Sequence, residues 1–242
     1  MGNVTSATTP HAARQPSYAS RTKGVNYAAR VTIELEDLRP APYVAEPVRY
    51  RGAYLEMLIS SIIGLIASLV LSIEALQLAE DPLADLGCNI NSVLSCGTVG
   101  ASWQASLLGF PNAYLGLIAE PVVITLSVAA LGGVRYPRWF MLSAQAIYTI
   151  GLAFAYWLFV QSYFVIGALC PWCLTITVTT TLVFASMTRI NLLENNFRLS
   201  ASAYRTVAGW LKAGADVLGC ILIFAVLIAM IVLKYGADLF AG

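Results

Sequence analysis

Charge is what this chain has least of. Only 11% of its 242 residues are Asp, Glu, Lys or Arg, while 58% are hydrophobic and the mean hydropathy is +0.73. Soluble domains carry about 25% charged residues, so an ordinary soluble domain is excluded. Histidine is nearly absent: His11 is the single one, set in a polar stretch where it reads as solvated. Gly-rich nucleotide loops are missing, and so is the C-x-x-C-H signature of haem attachment, because Leu174 stands where the His would be. No metal, flavin or haem is expected. With a net charge of +1, no nucleic-acid partner is expected either. The first fifty residues lack the roughly 7–15-residue apolar core of a signal peptide. Rich in Ser, Thr, Ala and Arg, residues 1–50 read as a disordered cytosolic tail. The opening Met-Gly with Ser6 is weak evidence for myristoylation, and the sequon at Asn3 reads as chance.

What remains is long apolar runs. A membrane span needs roughly 20 apolar residues, and five stretches qualify: 55–78, 112–134, 139–166, 170–187 and 217–234. The fourth is short and carries Thr175, Thr177, Thr179, Thr180 and Thr181, which suits a helix buried among the others. The expected fold is an all-α integral membrane protein, a four-helix transmembrane bundle core plus a fifth transmembrane helix. Residues 51–188 form the catalytic bundle with an outer loop at 79–111. Residues 189–216 are too polar to span and read as a cytosolic amphipathic connector. Residues 217–242 supply the fifth helix and a short outer C-terminus.

Lys and Arg mark the cytosolic side of such chains. Seven of the fourteen precede the first span, Arg135 and Arg138 separate spans two and three, and Arg189, Arg198, Arg205 and Lys212 separate spans four and five. The N-terminus is therefore expected inside. The 79–111 loop and the turn before Cys170 are expected outside, the oxidising side on which disulfides persist. Cys88, Cys96, Cys170 and Cys173 all fall there. The fifth cysteine, Cys220, reads as an inert apolar residue near the cytosolic end of span five.

In Cys170-Pro-Trp-Cys173 two thiols share one helix face. Pro171 suits the first helical position, where its missing N–H has no partner to lose. Cys170 then falls at the N-cap and Cys173 in the first turn, where free N–H groups and the helix dipole favour a thiolate. That geometry suits a redox-active pair. Structural disulfides, or a four-cysteine zinc site with an atypically long first spacing, are the blander alternatives. A thioredoxin domain is excluded by the absence of a soluble βαβ context. The other pair sits in "DLGCNINSVLSCGTVGASWQASLLGF", a segment suited to the bundle's outer rim. It would carry one cysteine toward a soluble partner and one toward Cys170, and exchange between pairs proceeds through mixed disulfides. The natural electron acceptor at a lipid boundary is a quinone, held by a hydrogen-bonding group in an apolar cage. Asn112 is a candidate for the first, or else a plain helix cap after Pro111. Trp103, Phe110, Tyr114 and Trp172 are candidates for the cage.

A spaced Cys pair in the first outer loop, an Asn opening span two in "NAYLG", and a C-x-x-C opening span four together resemble the vitamin K epoxide reductase family in its bacterial form. The resemblance runs over roughly residues 52–188. It implies a membrane enzyme that generates disulfides and reduces a quinone of the menaquinone, ubiquinone or vitamin K type. Carried over by position, Cys88 looks like the outer shuttle cysteine that meets the partner, and Cys96 like the inner one that attacks Cys170. Cys173 looks like the cysteine beside the quinone. Asn112, four residues before Gly116, looks like the quinone-binding Asn, and Ser102 like the loop Ser/Thr. The expected location is the bacterial plasma membrane.

Thr177 departs from the family's animal members, which have Tyr four residues after the last Cys. Some bacterial members fuse a thioredoxin-like domain after a fifth span. Here the sequence ends eight residues beyond Lys234, so the expected partner is a separate, extracytoplasmic thioredoxin-fold (DsbA-like) protein. A DsbB-type oxidase is the nearest alternative, but it carries its C-x-x-C in the first outer loop. A non-enzymatic membrane protein with structural disulfides is the alternative from another class. Glu74 reads as interfacial. Glu120, before Pro121 and about a dozen ångströms into span two, reads either as a neutral acid hydrogen-bonded in the bundle or as part of a proton path.

Overall fold

The computed structural model describes residues 50–239 except 83, 85 and 92. The expectations for the N-terminal tail, with His11, the Met-Gly pattern and Asn3, lie outside the described residues, as do those for 240–242. Helices α1 (Arg51–Glu80), α2 (Cys96–Gly100), α3 (Ala113–Leu131), α4 (Arg138–Gln161), α5 (Pro171–Leu193), α6 (Ala201–Lys212) and α7 (Ala215–Leu239) follow in chain order. A 3₁₀ turn at Trp103–Ser106 follows α2, and a π-helical turn at Ser162–Ile166 extends α4. Five of these helices are long and apolar enough to cross a membrane: α1, α3, α4 with its π turn, α5 and α7. The protein is an all-α, multi-pass membrane protein.

Side chains sort on α1 in the sense expected for lipid. Ile59, Ile62, Ile66, Leu69, Ile73 and Leu76 are exposed, while Ser60, Ser61, Gly64, Ala67, Ser68 and Ser72 are buried. Lipid is as apolar as leucine, so large aliphatic groups gain nothing by turning inward, whereas small residues let helix backbones approach. Accordingly α1 packs between α3 and α5, and α5 between α1 and α4. Gly116 of α3 marks the tightest approach: a Cβ there would sit 2.0 Å from Ser68 Oγ and 2.9 Å from Ser68 Cβ.

The threonines of α5 are accommodated by bonding back to their own helix. Thr175, Thr177 and Thr181 donate to the carbonyls of Pro171, Cys173 and Thr177, which satisfies the hydroxyls within the helix, and Thr181 Oγ1 also meets Tyr156 Oη of α4 at 3.0 Å. The helix also runs past 187, where hydropathy alone ends it, to Leu193. Arg189 in this extra turn pairs with Asp216 of α7 at 2.6 Å.

One end of the bundle is densely filled. Tyr54 and Met57 of α1, Val123 and Leu126 of α3, Met141 of α4, and Val183, Met187 and Ile190 of α5 form one cluster, several at 0% exposure. The opposite end holds the cysteines and a cavity. Helix α7 lies on the periphery, attached near the π turn: Tyr163 Oη donates to Met230 O at 3.0 Å, and both Tyr235 Oη and Lys234 Nζ donate to Tyr163 O.

Candidate redox site

Two segments distant in sequence meet through their backbones. Leu94 and Leu169 form a parallel bridge: Leu169 N–H donates to Val93 O at 2.7 Å, and Ser95 N–H to Leu169 O at 3.0 Å. The residues that immediately follow this bridge on each strand are Ser95-Cys96 and Cys170. Each is then fixed by a helix start. Ser95 caps α2, its Oγ accepting from Thr98 N–H at 3.1 Å. Asn89 Oδ1 accepts from Gly97 N–H and from Ser95 Oγ. Gly167, at φ 77°, closes the π turn and aims the chain at Leu169. Cys170 is the N-cap of α5 with Pro171 as its first residue, and its Sγ accepts from Cys173 N–H at 3.3 Å.

The sulfurs lie in a row. Cys88 and Cys96 are joined as a disulfide, Cys170 Sγ stands 3.3 Å from Cys96 Sγ, and Cys170 and Cys173 are free thiols. Cys88, Cys96 and Cys170 are all buried, together with Leu86, Val99 and Ala168. A separation of about 3–3.5 Å between reacting atoms is a near-attack arrangement. Hydrogen bonds from Cys173, thiol first and then backbone N–H, hold the Cys170 thiol below its ordinary range against the opposing effect of burial. The pair is therefore one exchange step from a mixed disulfide between Cys96 and Cys170.

A cavity of about 780 Å³ opens beside the row, walled by all four core helices and the 3₁₀ turn. Cys96, Cys170 and Cys173 reach its wall and Cys88 does not. Asn112 and Ser102 also line it. Asn112 donates through Nδ2 to Gln104 O at 2.6 Å, leaving its buried Oδ1 with no partner among the described residues. Ser102 Oγ donates to Val99 O at 2.6 Å. The four aromatic cage candidates are not in the wall. Trp103 is 62% exposed and packs edge-on against Trp157, Phe110 stacks on Tyr114, and Trp172 packs beside the cysteines. The aromatic wall comes instead from Tyr148, Phe154 and Phe159 of α4. In a lipid-exposed span both faces are apolar, so hydropathy does not single out which aromatics turn inward.

Two carboxyls complete the site. Glu120 is 4% exposed, lines the cavity and accepts from Tyr148 Oη at 3.1 Å. Glu74, which its sequence position puts near the interface, is buried against protein. It is 9% exposed, with Oε1 3.1 Å from Cys88 Sγ and Oε2 buried without a partner among the described residues. The signal for it was present in "LSIEAL": an ionisable residue inside an apolar run is by default a functional candidate. Thr177, at the position of the departure noted above, also lines the cavity, but its hydroxyl is committed to Cys173 O.

A row of sulfurs leading to an apolar cavity suits electron transfer by disulfide exchange, and comparison with known proteins agrees with it. Among curated proteins no sequence matches the chain. The model of the Vitamin K epoxide reductase family matches residues 55–188, which run from near the start of α1 to within two turns of the end of α5 and include all four paired cysteines. The chain belongs to the vitamin K epoxide reductase family and is a membrane disulfide oxidoreductase.

Proposed function

We propose that the protein oxidises an extracytoplasmic thioredoxin-fold partner and passes the electrons to a membrane quinone, with the cysteine end of the bundle outside the cytoplasm. The observation that carries this reading is the 3.3 Å approach of Cys170 Sγ to Cys96 Sγ at the wall of the cavity. A partner thiolate attacks Cys88, breaking the Cys88–Cys96 bond and releasing Cys96 as thiolate. Cys96 attacks Cys170 of an oxidised C-x-x-C pair, and the Cys170–Cys173 bond breaks with the electron pair on Cys173. The partner's second thiol resolves its own disulfide with Cys88. Cys88 then displaces Cys170 from Cys96, restoring the loop disulfide and leaving two thiols at 170 and 173. The disulfide and free thiols observed correspond to this last state.

The residues present fit a quinone. The cavity lies within the roughly 300–1,000 Å³ of ligand sites, and an orphaned buried amide oxygen is costly unless a ligand meets it. A quinone bound there would supply a two-electron, two-proton acceptor. Asn112 would hold its polar edge, the amide donating to a carbonyl oxygen or accepting from a hydroxyl. Phe154, Leu158 and Phe159 would flank the ring, and Cys173 would face it. The remaining hydrogen of Asn112 Nδ2 and its free Oδ1 give the site one donor and one acceptor, as both redox forms require.

The test is quinone reduction by the purified protein supplied with a reduced thioredoxin-fold protein. Wild type is expected to turn over and Cys173→Ala to be inactive, while Cys96→Ser accumulates a disulfide between Cys88 and the partner. Absence of turnover with any quinone, together with cysteines inert to the thiol donor, would make them structural.

A further inference from the structure

We infer that Glu74 is the proton carrier of the shuttle cysteine: its carboxyl holds a proton while Cys88 is in a disulfide and is ionised while Cys88 is a thiol. The inference deepens the relay proposed above and rests on it for its kinetic arm. Its basis is the contact of 3.1 Å between Glu74 Oε1 and Cys88 Sγ. A thiol there would donate to a carboxylate. A disulfide sulfur has no hydrogen to give, so any hydrogen bond in this contact must be donated by the carboxyl. The surroundings agree: Glu74 is nine-tenths buried at the cavity wall, its Oε2 has no partner among the described residues, and the helix carries the group in an apolar segment. A buried carboxylate without a partner is unfavourable, whereas a neutral acid is tolerated. The titratable groups that face it are sulfurs: Cys88 from the loop, Cys96 from α2, and Cys170 and Cys173 from the start of α5.

Proton and electrons then balance in each half of the cycle. When the loop disulfide closes, Cys88 Sγ bonds to Cys96 Sγ, the Cys96–Cys170 bond breaks with its electron pair on Cys170, and the thiol proton of Cys88 passes to the Glu74 carboxylate. When the partner's second thiolate attacks the partner sulfur bound to Cys88, Cys88 leaves with the electron pair and takes the proton back from Glu74. The shuttle thus needs no water at a sulfur that is only 6% exposed. Glu120, on a different helix and hydrogen-bonded to Tyr148, takes no part.

Infrared difference spectroscopy on the full-length protein decides it without quinone or partner. The disulfide form is compared with the form reduced by dithiothreitol. Reduction is expected to remove the carbonyl stretch of a protonated carboxylic acid and to add an S–H stretch. The lost band should be absent from Glu74→Gln and present in Glu120→Gln. Should Glu74→Gln not fold, Glu74→Asp should keep the band at a displaced frequency. No carboxylic band lost on reduction overturns the inference. In the kinetic arm, Glu74→Gln should be about 100-fold slower than wild type at pH 6.5. The gap should close near pH 8.5, because an unassisted thiol of pKa about 8.5 is only about 1% thiolate at the lower pH. Parallel pH profiles would mean a structural role and would overturn the inference too. A wild type that shows no quinone turnover defeats the relay instead, and the infrared result still decides the role of Glu74.

Discussion

Substituting Gly116 by Ala should change sign with the residue it faces. The added methyl carbon would lie 2.0 Å from Ser68 Oγ and 2.9 Å from Ser68 Cβ, both short of ordinary van der Waals contact. Rotating Ser68 relieves the first contact but not the second, so α1 and α3 must part. Overpacking of this kind costs about 1–3 kcal/mol. Against it stands the helix preference of Ala over Gly, about 1 kcal/mol, so in the native background a net loss of up to about 2 kcal/mol is expected. Ser68→Gly removes both clashing atoms. It also removes a buried hydroxyl without a partner among the described residues. In that background Gly116→Ala should stabilise, by up to about 1 kcal/mol, because only the helix preference remains. The coupling between the two sites is then about 1–3 kcal/mol.

The cycle is measured by SDS-induced unfolding of the four proteins in micelles, followed by tryptophan fluorescence. Additivity within about 0.5 kcal/mol would refute the close approach of α1 and α3 at this level. Activity separates a further effect, since Gly116 also lines the cavity. If the double variant regains stability but not turnover, the methyl obstructs the cavity itself. If both return together, the defect of the single variant lies in the helix packing.

Hydropathy was sufficient for the five spans because lipid imposes one requirement on every turn of a helix, and composition satisfies or fails it. The N-cap role of Cys170 was equally legible: Pro171 after it and an apolar run beyond leave one place for the helix to start. The end of α5 was not, because the Arg189–Asp216 pair depends on a helix 27 residues further along. The site divides along the same line. Asn112 could be singled out from its place after Pro111 and before an apolar run, and it does reach the cavity wall. Its neighbours in sequence, Phe110 and Tyr114, turn toward each other instead, since helix rotation is set by packing that a lipid-facing pattern does not encode. The Leu94–Leu169 bridge brings Cys96 to Cys170 and leaves no trace in composition. Both partners are leucines in segments too short to read as strands.

Two further tests address the relay. Hydrogen bonds from Cys173 hold the Cys170 thiol below its usual range, so the thiolate form is favoured in the folded, reduced protein. The folded value being depressed, the associated stabilisation is fully present above the ordinary thiol value of about 8.5. It is lost as pH falls through the folded value. Titrating the reduced protein should show a first thiolate absorbance below the ordinary range, lost in Cys170→Ser. A first rise only at or above that range contradicts the hydrogen-bond geometry. The backbone bridge is tested by Leu169→Pro, which deletes the N–H donated to Val93 O at 2.7 Å and leaves that carbonyl unpaired. Losing the bond costs about 1–3 kcal/mol, enough to let the two strands separate. A misplacement of about 1 Å lowers a proximity-dependent rate about 100-fold. Exchange between Cys88–Cys96 and Cys170–Cys173 should slow by about that factor, and by more than oxidation of the C-x-x-C pair by quinone, because Cys173 lies inside α5 whereas Leu169 only contributes to the cavity wall. The two steps are resolved by rapid mixing and alkylation, with each thiol counted by mass spectrometry. Equal slowing of both would indicate a disrupted bundle. Unchanged exchange would mean that the bridge does not position the sulfurs, and that the helix starts at Cys96 and Cys170 are enough to hold the two together.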